Sequence, residues 1–81
     1  MKIKYFAWIK DFTNNEEEEI DSKNITDLNQ LKSFIIKKYP DLKKFLNQNI
    51  LRFAINQEYV IDNVNLNHED EIAVFPPVSG G

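Results

Sequence analysis

The sequence ends in Gly80 and Gly81, and these are its only glycines. Average usage of about 7% would give roughly six in a chain of this length, so none is left for a phosphate-binding loop or a dinucleotide fingerprint. A free α-carboxyl group has a pKa of about 3.5. A carboxylate on Gly81 would therefore be ionised at neutral pH and able to attack the α-phosphate of ATP. Glycine has no Cβ to block a narrow passage, so we predict that this end reacts inside the active sites of other proteins.

Two prolines, Pro76 and Pro77, precede this end. Proline fixes φ and cannot donate a ladder hydrogen bond, so the pair would end a strand and direct the chain away from a sheet. The extended reach from residue 76 to residue 81 is at most about 20 Å. We predict a folded domain over residues 1–75 and a flexible tail over residues 76–81. For the two glycines alone, a disordered terminus or a cloning linker is the alternative.

Composition limits the classes of function. Hydrophobic residues make up 42% of the 81 residues and charged residues 28%, with a net charge of -3. This favours one globular domain and gives no basic stripe for nucleic acid. No apolar run reaches the ~20 residues of a membrane span. Cysteine is absent, which excludes a disulfide, a thiolate metal site and a cysteine nucleophile. Residues 1–10 lack the pattern of a signal peptide, so we expect a cytoplasmic protein that binds no cofactor of its own.

The elements that must position the tail follow from periodicity. Residues 1–10 alternate with a period of two, which predicts a strand. Thr13, Asn14 and Asn15 predict a turn, and residues 16–22 a returning strand whose glutamates form a solvated edge. A helix is expected after an N-cap at Asn24, with Asp27 in its first turn. Its apolar stripe consists of Leu28, Leu31, Ile35 and Tyr39.

The remaining pattern predicts short elements. Pro40 ends the helix, and residues 41–46 form a further helical turn. Residues 50–55 and 58–61 predict a hairpin through Asn56 and Gln57, and residues 62–70 an irregular segment anchored by Leu66. Residues 71–75 are the last strand. The order indicates an α+β fold, a mixed sheet of about five strands with one main helix on one face.

The C-terminal segment resembles a known signature. Residues 71–81, Glu-Ile-Ala-Val-Phe-Pro-Pro-Val-Ser-Gly-Gly, are similar to the ending of the MoaD family, the small subunits of molybdopterin synthase. Residues 2–7, 25–28 and 53–60 resemble the family's opening strand, helix start and hairpin. The family commonly has Gly-Asp-Glu where this chain has Glu69-Asp70-Glu71, so Glu69 implies a different turn or some strain.

The resemblance implies a ubiquitin-like β-grasp fold and a sulfur-carrier cycle. A MoeB-type enzyme would use ATP to adenylate the Gly81 carboxylate, and a sulfur-donor protein would convert it to a thiocarboxylate. The MoaE-type large subunit of molybdopterin synthase would then accept the tail, and the sulfur would pass to cyclic pyranopterin monophosphate to form the dithiolene of molybdopterin. Catalytic side chains would lie on the partners, so this chain would be a sulfur-donor subunit.

Surplus aromatic residues suggest where the body docks. With Ile3, Tyr5, Ala7 and Ile9 under the helix, Phe6 and Trp8 would point to the other sheet face, with Phe75 near them. Exposed aromatic residues favour interfaces. The alternative is that Phe6 and Trp8 lie beneath residues 62–70. We assign partner contacts to seven residues: Phe6, Trp8, Phe75, Pro76, Pro77, Val78 and Ser79.

Two rival functions use the same chain end. One is a ThiS-type sulfur carrier for thiamine synthesis, and the other is a ubiquitin-like modifier that forms amide bonds with lysines. A stand-alone enzyme is disfavoured because no nucleophile–base pair is visible. His68, the single histidine, is expected to be a surface residue, and Asp70 and Glu71 to be charges at the rim of the interface.

Overall fold

One mixed sheet organises residues 1–77, the part of the chain that this computed structural model describes. Its strands are β1 (Lys2–Tyr5), β2 (Glu17–Glu19), β3 (Arg52–Ile55), β4 (Glu58–Val60) and β5 (Glu71–Phe75). They lie in the order β2-β1-β5-β3-β4. β1 and β5 are parallel, and the other neighbours are antiparallel. The last strand along the chain is therefore the central one.

Three α-helices complete the described part: α1 (Ile9–Thr13), α2 (Leu28–Lys38) and α3 (Lys43–Asn47), with a 3₁₀ turn over Pro40–Leu42 before α3. The core joins Leu28, Leu31 and Ile35 of α2 to one sheet face, where Ile3 and Val74 are fully buried. Burying each such side chain contributes about 1.5–3 kcal/mol. The α+β β-grasp arrangement, with one main helix on a mixed sheet, is confirmed.

The start of α2 differs from the sequence prediction. The N-cap is Asp27, not Asn24, and its Oδ1 accepts a 2.8 Å hydrogen bond from the Gln30 backbone N–H. Asp27 is held in extended geometry by a β-bridge to Asn65. This long-range contact delays the helix until Leu28. The predicted end at Pro40 is confirmed, because α2 stops at Lys38.

The first strand is much shorter than its alternating pattern predicted. β1 ends at Tyr5, and Ala7 has a positive φ of 55°, which turns the chain out of the sheet. Ile9 is buried as predicted, but as the first residue of α1. α1 ends at Thr13, and Asn14 is its left-handed C-cap with φ 58°. The predicted turn therefore closes a helix, and β1 and β2 are not joined by a tight hairpin.

The β3–β4 hairpin turns at Asn56 and Gln57, as predicted. Their φ values are 51° and 71°, and positive φ at both central residues is typical of a type I′ turn. Asn56 is held from both sides, because its Nδ2 donates to Asp70 (2.9 Å) and its Oδ1 accepts from the Glu71 N–H (3.0 Å).

The segment before β5 follows the prediction at Leu66, which is buried and bonded to the Thr26 backbone. The prediction for Asp70 is wrong. Asp70 is buried, and besides Asn56 it accepts a 2.8 Å bond from the Asn67 N–H, so it fastens this loop and is not a rim charge. Glu69 is not among the residues with positive φ, so this segment uses a turn that does not require glycine there, with the Asp70 N–H bonded to the Asn67 carbonyl at 3.0 Å.

Candidate functional site

The chain leaves the sheet from its centre. Val74 lies beside Tyr5 on one side and Phe53 on the other. The Val74 carbonyl accepts a 3.0 Å bond from the Phe6 N–H, and Phe75 is the last strand residue. Pro76 has no N–H to continue the ladder. The predicted site residues Val78, Ser79, Gly80 and Gly81 lie outside the described residues, so their roles, and the boundary of the tail, stay predictions.

The sheet face opposite α2, here called the open face, carries aromatic side chains near this exit. Tyr59 on β4 is 51% exposed, and its ring centroid lies 6.1 Å from that of half-buried Phe75. Phe6, 46% exposed, follows β1 directly beside the end of β5. Between Tyr59 and β1 the sheet presents only Ala54 and Ala73, which pair with each other. These small residues leave a shallow surface, and the aromatic rings of Tyr59, Phe75 and Phe6 lie around it. Such a surface suits a protein partner.

The open face also carries two ion pairs and one further cation, Arg52. Lys4 pairs with Glu71 at 3.2 Å and Lys2 with Glu17 at 3.3 Å. These pairs are exposed enough for each to contribute less than about 1 kcal/mol. Arg52 lies directly opposite Phe75, and within residues 1–77 no carboxylate oxygen lies within 4.0 Å of its guanidinium. Tyr59 and Arg52 were both missed by sequence reasoning, because only the strand register places them beside Phe75.

Trp8 does not share a face with Phe6, contrary to the prediction. The positive φ of Ala7 separates them, and Trp8 packs edge-to-face against Phe12 at 5.9 Å and Phe45 at 4.8 Å. The alternative position beneath residues 62–70 is also wrong, because these partners come from α1 and α3. The assignment of Trp8 to partner binding stays a prediction, although its packing gives it a role in folding.

A second cluster gathers on Glu18, the one half-buried residue of β2. Its carboxylate accepts hydrogen bonds from the hydroxyls of Tyr5 (2.7 Å) and Tyr39 (2.5 Å) and pairs with Lys38. Burial raises the pKa of Glu18, but the bonds from Lys38, Tyr39 and Tyr5 outweigh it and lower that pKa below its ordinary value. Burial, together with the bond to Glu18, raises the pKa of Tyr5 far above its ordinary value. The cluster fastens the end of α2 to β2, so its role is structural.

His68 is exposed, as predicted, and its Nδ1 lies 2.7 Å from the Ser22 Oγ. Ser22 is buried, so this pair does not offer an accessible nucleophile. Within residues 1–77 no group of three His, Asp or Glu side chains is placed to hold a metal ion. The helices of that region are also too short or too polar to cross a bilayer.

Comparison with known proteins agrees with this geometry. The model of the ThiS family matches residues 3–81. The chain belongs to this family. Two relatives named molybdopterin synthase sulfur carrier subunit support the MoaD resemblance. The Caenorhabditis briggsae protein is 34% identical over 100% of this chain and 96% of its own length. The Homo sapiens protein is 37% identical over 100% and 93%.

Solved structures place this ThiS-family chain among β-grasp proteins. A putative molybdopterin converting factor subunit 1 from Pyrococcus furiosus has a TM-score of 0.83 at 29% identity, over 95% of both chains. SAMP1 from Haloferax volcanii, at 21% identity, shares the fold with a TM-score of 0.80, over 99% of this chain and 97% of its own. A chain from a complex of subunits 1 and 2 of molybdopterin-converting factor from Helicobacter pylori scores 0.70 at 28% identity, over 99% and 96%.

Proposed function

We propose that this chain is the sulfur-carrier small subunit of a molybdopterin synthase. One observation carries the proposal: the family match runs through residue 81, and the relatives named as sulfur carrier subunits match over the whole chain. The fold adds support, because the central strand β5 ends at Phe75 and is followed by Pro76, which cannot continue the ladder. In this proposal the folded domain binds the partner proteins, and the C-terminal carboxylate reacts.

Activation begins at the Gly81 carboxylate. One carboxylate oxygen attacks the α-phosphorus of ATP held by a MoeB-type enzyme, and pyrophosphate leaves. A hydrosulfide equivalent from a sulfur donor then attacks the acyl carbon, and AMP leaves. The product is a thiocarboxylate whose sulfur is anionic at neutral pH. This chain contributes the acyl group and binds no cofactor itself.

Transfer takes place in the large subunit. The thiocarboxylate sulfur attacks a side-chain carbon of cyclic pyranopterin monophosphate, and the oxygen substituent on that carbon leaves. Water then cleaves the acyl–sulfur bond, which leaves the sulfur on the pterin and restores the Gly81 carboxylate. A dithiolene holds two sulfurs, each replacing an oxygen on carbon, so two loaded carriers are consumed per molybdopterin.

The open face is the docking surface for the large subunit in this proposal. Phe6, Tyr59 and Phe75 supply aromatic anchors beside the exit, and Arg52 supplies a cation that has no carboxylate partner among residues 1–77. A complex between subunits 1 and 2 of the Helicobacter pylori factor supports a partner of the large-subunit kind.

Intact-mass spectrometry tests the proposal. The purified chain is incubated with a MoeB-type enzyme, ATP and sulfide, and we expect the mass gain of one oxygen exchanged for sulfur, localised to the C-terminal peptide. A variant lacking Gly81 is the control and gains nothing. Absence of the gain in the intact chain, with an enzyme that loads another carrier, contradicts the proposal.

The acceptor separates the rival carriers. A ThiS-type carrier would show the same mass gain, so the loaded chain is next mixed with a large subunit and cyclic pyranopterin monophosphate. We expect loss of sulfur and formation of molybdopterin. A loaded chain that keeps its sulfur there but supplies thiazole synthesis is a thiamine carrier, and amide conjugates on lysines would indicate a modifier.

A further inference from the structure

A groove of about 300 Å³ lies between α2 and α3, on the side of the molecule away from the open face. We call it the helical groove. Its lining includes Lys32, Ser33, Ile36, Lys37, Lys43 and Leu46. Ile36 and Leu46 are half-buried apolar residues packed against the core. They form an apolar floor, and lysines surround it.

These lysines stand out because the chain as a whole is acidic. Five of its ten basic residues fall between residues 28 and 47, where Asp41 is the only acid, although the net charge is -3. Among residues 1–77, Lys2, Lys4 and Lys10 outside this segment form ion pairs, and within it only Lys38 does. Within the described residues, Lys32, Lys37 and Lys43 of the groove have no carboxylate oxygen within 4.0 Å.

Local interactions account for only part of this arrangement. Lys37 lies in the last turn of α2, where a cation is favourable for the helix dipole. The Nζ atom of Lys32 lies 5.3 Å from the centroid of the Phe53 ring, a favourable cation–π contact. Lys43 begins α3, where the dipole disfavours a positive charge. Mutual repulsion across an apolar floor costs stability, and an external anion would relieve it.

We propose that the helical groove is a docking site for an acidic segment of a partner protein that carries two apolar anchors. Its carboxylates would meet Lys32, Lys37 and Lys43, and its anchors would cover Ile36 and Leu46. A lipid surface is disfavoured because the large exposed hydrophobic residues among residues 1–77, Phe6, Tyr59 and Ile61, are not in the groove. The groove and the open face lie on opposite sides of the sheet, so both could be occupied at once. The proposal does not depend on sulfur transfer.

The probe is a labelled helical peptide with two leucines four residues apart, flanked by glutamates. We expect saturable binding to the full chain by fluorescence anisotropy, weakening as salt is raised. Replacing the peptide's leucines with serine, or its glutamates with lysine, should weaken binding at least tenfold.

Variants locate the site. Lys37→Glu combined with Lys43→Glu should weaken binding at least tenfold, whereas Lys23→Glu, an exposed lysine outside the groove, should change it less than twofold. Ser33→Asp and Ser33→Asn form a matched pair of similar size at an exposed position, and only the aspartate should weaken binding. Circular dichroism melting checks that each variant is folded.

Several outcomes would overturn the proposal. They are equal weakening by Lys23→Glu, equal effects of the two Ser33 variants, or no saturable binding of the acidic peptide. Vesicles containing phosphatidylserine that bind the chain when the peptide does not would indicate a lipid surface instead. Salt-dependent dimers that Lys37→Glu abolishes would indicate that a second copy, through its own glutamates, is the occupant. Loading of Gly81 with sulfur should be unchanged in all these variants, so the two proposals fail separately.

Discussion

The Tyr5 hydroxyl donates a 2.7 Å hydrogen bond to the Oε2 atom of Glu18. Tyr39, the C-cap of α2, donates to the same oxygen, and the two rings meet edge-to-face at 5.9 Å. A carboxylate on an edge strand thereby ties that strand to the sheet and to the end of the helix. Charged hydrogen bonds of this kind contribute about 1.5–3 kcal/mol each.

Glu18→Gln should make the free energy of unfolding vary less with pH between pH 7 and pH 3. The folded pKa of Glu18 lies below its ordinary value of 4.5, so its stabilisation is present above about pH 4.5 and is lost as pH falls through the folded pKa. We expect the variant to be less stable by about 2 kcal/mol at pH 7 and the difference to shrink toward pH 3. Urea unfolding across this range measures it. Glu17→Gln, which removes an exposed ion pair, should cost less than about 0.5 kcal/mol. A constant Glu18→Gln difference from pH 7 to pH 3 would contradict the assignment.

Trp8→Ala should impair folding more than Phe6→Ala does. Trp8 packs against Phe12 and Phe45, and its removal should cost about 2–4 kcal/mol. Phe6 is nearly half exposed, and its removal should cost less than about 1 kcal/mol. The free energy of unfolding in urea decides the matter. A similar loss of stability in both variants would show that the aromatic cluster of Trp8, Phe12 and Phe45 does not hold α1 in place.

Phe75→Ala and Tyr59→Ala should each weaken binding to a molybdopterin synthase large subunit by about thirtyfold, the effect of about 2 kcal/mol at an aromatic interface anchor. Titration calorimetry measures the affinity, and thermal melting measures folding separately. Ile36→Ala, another half-buried apolar residue but on the helical side, is the control and should bind normally. If Ile36→Ala weakened binding as much as Phe75→Ala and Tyr59→Ala, the cause would be a general loss of structure.

Gln57→Gly should stabilise the chain by about 0.5–1 kcal/mol, because Gln57 has a φ of 71° and glycine adopts this geometry at little cost. Asn56→Gly should not stabilise it, because it also loses the bonds to Asp70 and Glu71. Thermal melting compares both variants with Gln57→Ala, for which we expect no gain. A gain with alanine as large as with glycine would mean that backbone strain is not the cause.

Local signals were sufficient for some elements. The last strand, Glu71–Phe75, was predicted with its observed bounds, because a short apolar run there is ended by two prolines. The turn at Asn56 and Gln57 was also predicted correctly from the sequence. The end of β1 was not, because alternation continues past Tyr5 and no residue type announces the positive φ of Ala7. Because of that dihedral angle, Trp8 does not lie on the open face as predicted and packs against Phe12 and Phe45 instead.

Long-range contacts account for the other differences. Asp27 is the N-cap because Asn65, far along the chain, pairs with it, whereas Asn24 looked like the better cap in isolation. Glu18 was predicted as one of four solvated glutamates, and only the assembled fold brings Tyr5, Tyr39 and Lys38 to it. Tyr59 joined the candidate site through strand register, which the sequence alone does not fix.

The central position of β5 has a consequence for biosynthesis. The ribosome makes this strand after the other four, yet it is the one that fills the gap between β1 and β3. A nascent chain that has not yet released β5 has two half-sheets and an incomplete core, so it cannot complete folding. A partner that docks on the open face, as proposed above, would meet this surface only in chains in which β5 has paired with β1 and β3.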